Sequence, residues 1–133
     1  MKKEGVKNYE KFAKEILKKI KNKPISFEVF SDDLNEMKRQ AMIINSWGNN
    51  VYVKIPVINT KKKSTGKVIK YLTERGIKVN VTAIMTIEQL KKVIKNLNPK
   101  IPSCISIFAG RIADTGRDPV QVMITALKLM KKN

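Results

Sequence analysis

Val51-Tyr52-Val53-Lys54-Ile55-Pro56 alternates apolar and polar side chains, with Val51, Val53 and Ile55 on one side and Tyr52 and Lys54 on the other. Such alternation marks a β-strand with two chemically different faces. Three further runs repeat it. Between Ile25 and Val29, Phe27 and Val29 oppose Ser26 and Glu28; between Lys78 and Thr82, Val79 and Val81 oppose Asn80 and Thr82. Between Cys104 and Phe108, Ile105 and Ile107 oppose Cys104 and Ser106. Segments of helical periodicity lie around and between these runs. Tyr9 to Lys21 carries Phe12, Ile16, Leu17 and Ile20 on one face, and Ser31-Asp32-Asp33 precedes Leu34, Met37, Ala41 and Ile44. Ser64 opens a segment bearing Val68, Ile69 and Leu72, which Gly76 ends. Thr86 with Gln89 has the form of a capping box ahead of Leu90, Val93, Ile94 and Leu97. Asp118-Pro119 starts the last helix. Strands alternating with helices of this length predict parallel βα units and the α/β class.

A parallel sheet covered on both sides has strands that are almost wholly apolar, and these are not. Moreover, Glu28, Lys54, Asn80 and Ser106 follow one another at intervals of 26 residues. The interval is one βα unit, so the four are expected at equivalent heights on neighbouring strands. A closed barrel puts one face of every strand under the helices and the other inside, and its active site lies at the C-terminal strand ends. The predicted architecture is therefore a set of parallel βα units of a TIM (β/α)8 barrel. It is incomplete, because eight units need roughly 200 residues or more and residues 1–133 hold four clear strands in a single partial domain. Taken singly, each polar strand residue could be a rim or edge position. An open four-stranded sheet exposes two edges, so pairing with a second copy, as a homo-oligomer, or with absent strands is expected.

The chain's 133 residues carry 28 Lys+Arg against 11 Asp+Glu, a net charge of +17, with no histidine and one cysteine, Cys104. Without histidine there is no Ser-His-Asp or Cys-His nucleophile and no His-ligated metal. One thiol allows neither a disulfide framework nor a four-cysteine zinc site, which suits a reducing, cytoplasmic setting. No apolar run approaches the roughly 20 residues that span a bilayer, and the N-terminus lacks the apolar segment of a secretory signal. Thr65-Gly66-Lys67 lacks the upstream glycine of a P-loop. The positive charge raises nucleic-acid binding as the alternative function. However, the lysines are spread over every polar stretch, and no aromatic residue interleaves with the basic runs to stack bases.

Lys54 is the sharpest residue. Charged side chains are usually excluded from such a strand, and burial of a lysine disfavours its ammonium form. A free amine in a dry pocket attacks a ketone and forms a Schiff base. Glu28, on the preceding strand, could move the protons, through a water; a structural Lys54–Glu28 ion pair is the competing account. Arg111, in a Gly-containing loop after the fourth strand, could grip a phosphate, or pair with Asp114 at the surface.

Ser26-Phe27-Glu28-Val29, Val53-Lys54-Ile55-Pro56, Val79-Asn80-Val81-Thr82 and Ser106-Ile107-Phe108-Ala109-Gly110-Arg111-Ile112-Ala113-Asp114 resemble consecutive strand motifs of the transaldolase family, in its order and spacing. The resemblance runs from about Pro24 to Asp118. It implies that Lys54 is the Schiff-base lysine and that Glu28, with Thr82, holds a proton-shuttling water. It implies that Asn80 and Ser106 position substrate hydroxyls or the carbinolamine, and that Arg111 binds substrate phosphate. The family transfers a dihydroxyacetone unit from a ketose phosphate, such as fructose 6-phosphate or sedoheptulose 7-phosphate, to an aldose phosphate, without cofactor or metal. The similar fructose-6-phosphate aldolase branch tends to carry tyrosine at the position of Phe108 and glutamine at that of Glu28, so this pair favours transfer over cleavage. In the family pattern, strands one and two, with an aspartate and an asparagine, come before this segment, and strands seven and eight come after it. The resemblance thus implies a central portion with little turnover of its own, or a remnant that keeps only the fold signature.

Overall fold

The computed structural model describes residues 8–131. In chain order its elements are α1 (Tyr9–Lys19), β1 (Ile25–Glu28), α2 (Leu34–Asn45), β2 (Val51–Pro56), α3 (Gly66–Thr73), β3 (Val79–Ile84), α4 (Ile87–Ile94), β4 (Cys104–Ile107), α5 (Ala109–Asp114) and α6 (Pro119–Met130). The strands form one parallel sheet in the order β1-β2-β3-β4. Parallel crossovers are right-handed, so an order that never reverses sends every connecting helix to the same face. A doubly wound sheet would need a reversal. The fold is α/β, with four parallel strands alternating with helices as in part of a TIM-type barrel.

The apolar strand positions meet the helices on that face. Phe27, Val51, Val53, Ile55, Val79 and Val81 pack with Met37, Ala41 and Ile44 of α2, Val68, Ile69 and Leu72 of α3, and Leu90 and Val93 of α4. Three helix starts are fixed by the side chains that mark them in the sequence. Asp33 accepts from the N–H groups of Asn35 and Glu36 at the head of α2. Thr86 and Gln89 exchange both bonds of a capping box. Asp118 accepts from the Val120 N–H. Gly76 sits at φ +76°, the left-handed turn that lets the Ile77 N–H reach the Leu72 carbonyl.

Some expectations are corrected. Helix α1 stops at Lys19, not Lys21. The residue capping α3 is Thr65, not Ser64, and its hydroxyl donates instead to the Pro56 carbonyl at 2.6 Å. The Gly-containing segment after β4 is helical, forming α5. Most consequential is the register. Glu28 pairs with Lys54 and Lys54 with Asn80, as the spacing demands, but Asn80 pairs with Cys104 rather than Ser106. Ser106 therefore lies two residues further along. The stagger is of the kind that closing barrels require, and a two-residue shift keeps the side chain on its face because the strand repeat is two. Beyond Val81 the ladder is irregular, and Ala83 adopts φ +62°, a left-handed backbone that costs a non-glycine residue about 1 kcal/mol.

At the outer edge of β1 the backbone N–H of Glu28 donates to the Tyr9 hydroxyl at 3.2 Å. Tyr9 also makes edge-to-face contacts with Phe27, Phe30 and Trp47. These aromatic rings are engaged in packing α1 and α2 against the sheet. In the α3 layer Leu72 is fully buried. Leu72→Ala is expected to lower stability by about 2–5 kcal/mol in urea unfolding, whereas Lys70→Ala, on the exposed side of the same helix, stays within about 0.5 kcal/mol.

Candidate active site

The face of the sheet opposite the helices carries the polar strand residues. Since Glu28 and Lys54 are ladder partners on β1 and β2, their side chains emerge side by side, and Lys54 Nζ lies 3.0 Å from Glu28 Oε2. Next along, the Ser106 hydroxyl of β4 donates to Asn80 Oδ1 on β3 at 2.8 Å, and Asn80 Nδ2 donates to the Ser26 hydroxyl of β1 at 3.0 Å. Strands β1 and β3 are not neighbours. They are separated by two strand spacings of about 4.8 Å each, a gap that short side chains bridge only when the sheet is concave toward them. The Asn80–Ser26 bond is thus a direct sign that the polar face is the inside of a curved sheet.

The two halves of this cluster differ chemically. Asn80 is held at both ends of its amide, which fixes its orientation and that of the Ser106 hydroxyl. Glu28 and Lys54 hold only each other, and neither is enclosed: the Lys54 side chain is 32 % exposed and that of Glu28 42 %. The expected dry enclosure of Lys54 is therefore not met by these four strands, because side chains from the facing part of a barrel would be needed to cover the concave surface. A pair this exposed contributes about 0.2–1 kcal/mol, too little to account for a charged residue in mid-strand on stability alone.

Thr82 is in a different state. It aligns with Pro56, two residues beyond Lys54's partner Asn80, and is 2 % exposed, yet its hydroxyl has no hydrogen-bond partner among the described residues. A buried unsatisfied hydroxyl costs about 1–3 kcal/mol. The adjoining left-handed Ala83 adds a second local cost at the same end of β3, and strain of this sort gathers at functional sites. Phe108 caps α5 with its backbone and is 37 % exposed. Arg111 is on α5 rather than in a loop, points into solvent, and approaches Asp114 only to 4.0 Å. The structure thus joins Glu28 to Lys54 and Asn80 to Ser106; among the described residues no hydrogen bond links Thr82, Phe108 or Arg111 to either pair.

Ser26 and Tyr9 are contributors that the sequence reading did not assign to the site. Ser26 has a signal: Ser26, Tyr52, Lys78 and Cys104 repeat the 26-residue interval two positions before the Glu28 series. Lys78 Nζ stands 5.4 Å above the Tyr52 ring, so this second row is also populated on adjoining strands. Partial burial pushes the Cys104 thiol up. Burial likewise raises the Tyr9 hydroxyl, reinforced by the Glu28 charge and opposed by the backbone bond it accepts. No group of three or more Cys, Asp or Glu side chains is placed to hold a metal ion among the described residues, and no helix there is long and apolar enough to cross a membrane.

Comparison with known proteins adds an independent line. The family described as Transaldolase/Fructose-6-phosphate aldolase matches residues 7–133. A "Probable transaldolase" of Streptococcus equi subsp. zooepidemicus is 38% identical over 117 residues, which is 88% of this chain and 50% of that protein. A "Probable transaldolase 2" of Listeria monocytogenes is 36% identical over 131 residues, 98% of this chain and 55% of that protein. The chain spans about half the length of the curated relatives it matches. It belongs to the transaldolase/fructose-6-phosphate aldolase family.

Thr82→Val, which replaces the buried hydroxyl by a methyl group, tests what satisfies it: stability in denaturant unfolding rises by about 1 kcal/mol where the hydroxyl has no partner and falls where it holds a water.

Proposed function

We propose that this member of the family contributes the Schiff-base part of a transaldolase active site, with Lys54 as the nucleophile. The observation that carries the reading is the 3.0 Å contact between Lys54 Nζ and Glu28 Oε2 on the concave face. In it the amine has a proton acceptor in direct reach, as a nucleophile at neutral pH requires. Lys54, having given a proton to Glu28, attacks the C2 carbonyl of a ketose phosphate. The carbinolamine oxygen takes up protons and leaves as water, giving an iminium. As the C4 hydroxyl gives its proton to the Glu28–water relay, the electrons of the C3–C4 bond flow into this iminium, releasing an aldose phosphate and leaving an enamine on Lys54. The enamine carbon then adds to the aldehyde of the acceptor, whose oxygen takes that proton back, and water hydrolyses the new iminium to free the amine.

In this scheme Glu28 relays protons through a water that Thr82 also holds, which would give Thr82's unpaired hydroxyl its partner. Asn80 and Ser106, already fixed to one another, bind the carbinolamine or substrate hydroxyls. Phe108 contributes to substrate binding, and the exposed Arg111, which stands 4.0 Å from Asp114, takes the phosphate. Cofactor and metal play no part. With glutamate at position 28 and phenylalanine at 108 the reading is transfer rather than aldol cleavage. The setting is cytoplasmic, in keeping with the exposed thiol of Cys104. The strands that complete the barrel come from further sequence of the same protein or, in a homo-oligomer, from a second copy.

Incubation with fructose 6-phosphate and borohydride, followed by peptide mass mapping, tests this. A reduced adduct is expected on Lys54, absent in Lys54→Met and reduced at least about tenfold in Glu28→Gln. Label spread over exposed lysines and unchanged by Lys54→Met would overturn the assignment. In a coupled assay the 133-residue chain alone is expected to show little or no turnover, and robust turnover would overturn the requirement for further strands.

A further inference from the structure

Away from the concave face, the loops that follow β1 and β2 enclose a cleft of about 430 Å³ between the starts of α2 and α3. Four lysines line it, Lys38, Lys61, Lys63 and Lys67, against two aspartates, Asp32 and Asp33. Neither aspartate makes an ion pair within 4.0 Å with a lysine of the cleft among the described residues, although the Lys61 charge is felt by Asp32. Asp32 spends one oxygen on the Thr60 N–H and the other on the Thr60 hydroxyl, both at 2.7 Å. These bonds, the hydroxyl's foremost, hold its carboxyl below the usual range, with the Lys61 charge acting in the same direction. Asp33 spends Oδ1 on the two N–H groups at the head of α2. Lys61, Lys63 and Lys67 have no carboxylate within 4.0 Å among the described residues, and all three are exposed.

The cleft is also rigidly made. Asn59, which is buried, donates from its side chain to the Asp32 carbonyl at 3.0 Å and accepts the Lys63 N–H at 2.9 Å. The turn is closed by the Asn59 N–H bonded to the Lys63 carbonyl and the Lys62 N–H bonded to the Asn59 carbonyl. At its tip Lys62 adopts φ +58°, the left-handed region in which glycine is at ease and lysine is not. A strained, pinned turn that places Lys61 and Lys63 on a cleft of net positive charge is a preorganised electrostatic trap for an anion.

We infer that this cleft is a second ligand site, separate from Lys54, that binds a phosphorylated small molecule through Lys61, Lys63 and Lys67. The excess of two positive charges matches a phosphomonoester or diphosphate group, and the volume lies within the range of small-ligand clefts, roughly 300–1,000 Å³. It leaves room for more than a bare phosphate ion. None of Glu28, Lys54, Asn80 or Ser106 lines it, and it lies at the C-terminal ends of β1 and β2, the end at which barrel-type sheets bind their ligands.

Calorimetric titration of the full chain with pyrophosphate, and separately with inorganic phosphate, at low ionic strength tests this. One saturable site beyond any at Arg111 is expected, and it persists in Arg111→Gln. The triple variant Lys61→Gln/Lys63→Gln/Lys67→Gln should bind pyrophosphate at least about tenfold more weakly. Lys91→Gln/Lys92→Gln/Lys95→Gln, which removes the same charge from exposed positions on α4 and its C-cap, should change affinity less than about twofold. Lys54→Met should leave it unaltered. Equal weakening in both triple variants would reduce the effect to net charge, loss in Lys54→Met would place the anion on the concave face, and absence of saturation would mean no site. Each of these results overturns the inference, and none depends on whether Lys54 forms a Schiff base.

Discussion

Pairing of Phe27 with Val53 and of Val53 with Val79 locks one face of the sheet beneath the helices, and side-chain alternation does the rest. The same backbone bonds that drive those three apolar residues into the core necessarily aim Glu28, Lys54 and Asn80 the other way, side by side. A slip of one residue would reverse both faces, burying a lysine and a glutamate under α2 and α3 and exposing three core side chains. The register is therefore enforced by the whole apolar layer, and the chemistry of the polar face is positioned without any stabilising contribution of its own.

Cost is concentrated where the polar face does most. The carboxylate–amine pair is too exposed to add much stability. Thr82 carries an unpaired buried hydroxyl, and Ala83 beside it holds a backbone that its methyl group disfavours. By contrast the helix starts, with Asp33, Thr86 and Asp118 in place, are locally consistent with their sequence. Local rules are obeyed where the chain is scaffold and broken along one strand end on the concave side. The other left-handed non-glycine residue, Lys62, marks the lysine cleft. Both departures lie at the C-terminal ends of strands, where a parallel sheet gathers its loops.

The concave surface also explains what the four strands lack. Asn80 reaching Ser26 across β2 demonstrates curvature, but a curved sheet open at β1 and β4 covers its own inner face on one side only. Lys54 keeps about a third of its side-chain exposure for this reason. On the β1 edge, the Tyr9 hydroxyl takes the Glu28 N–H that a neighbouring strand would otherwise receive. Along α6, Val120, Met123, Ile124, Leu127 and Met130 remain exposed, an apolar face of the sort that a larger assembly covers.

The α/β class, the four strands and the identity of the polar-face residues were legible in the sequence, because period-two alternation and a fixed 26-residue interval are local quantities that need no knowledge of packing. So were the capped helix starts, where a single side chain satisfies the N–H groups of its own turn. Other features were decided only in three dimensions. Ser106 lies two residues beyond Asn80's partner because stagger between strands arises from the twist and closure of the whole sheet. Arg111 sits on a helix because the Ala109–Asp114 segment, despite its glycine, continues from the end of β4 into a turn of α5. Thr82's unpaired hydroxyl, the openness of Lys54 and the lysine cleft joining residues 32 to 67 depend on which groups are neighbours in space, and spacing along a chain does not contain that information.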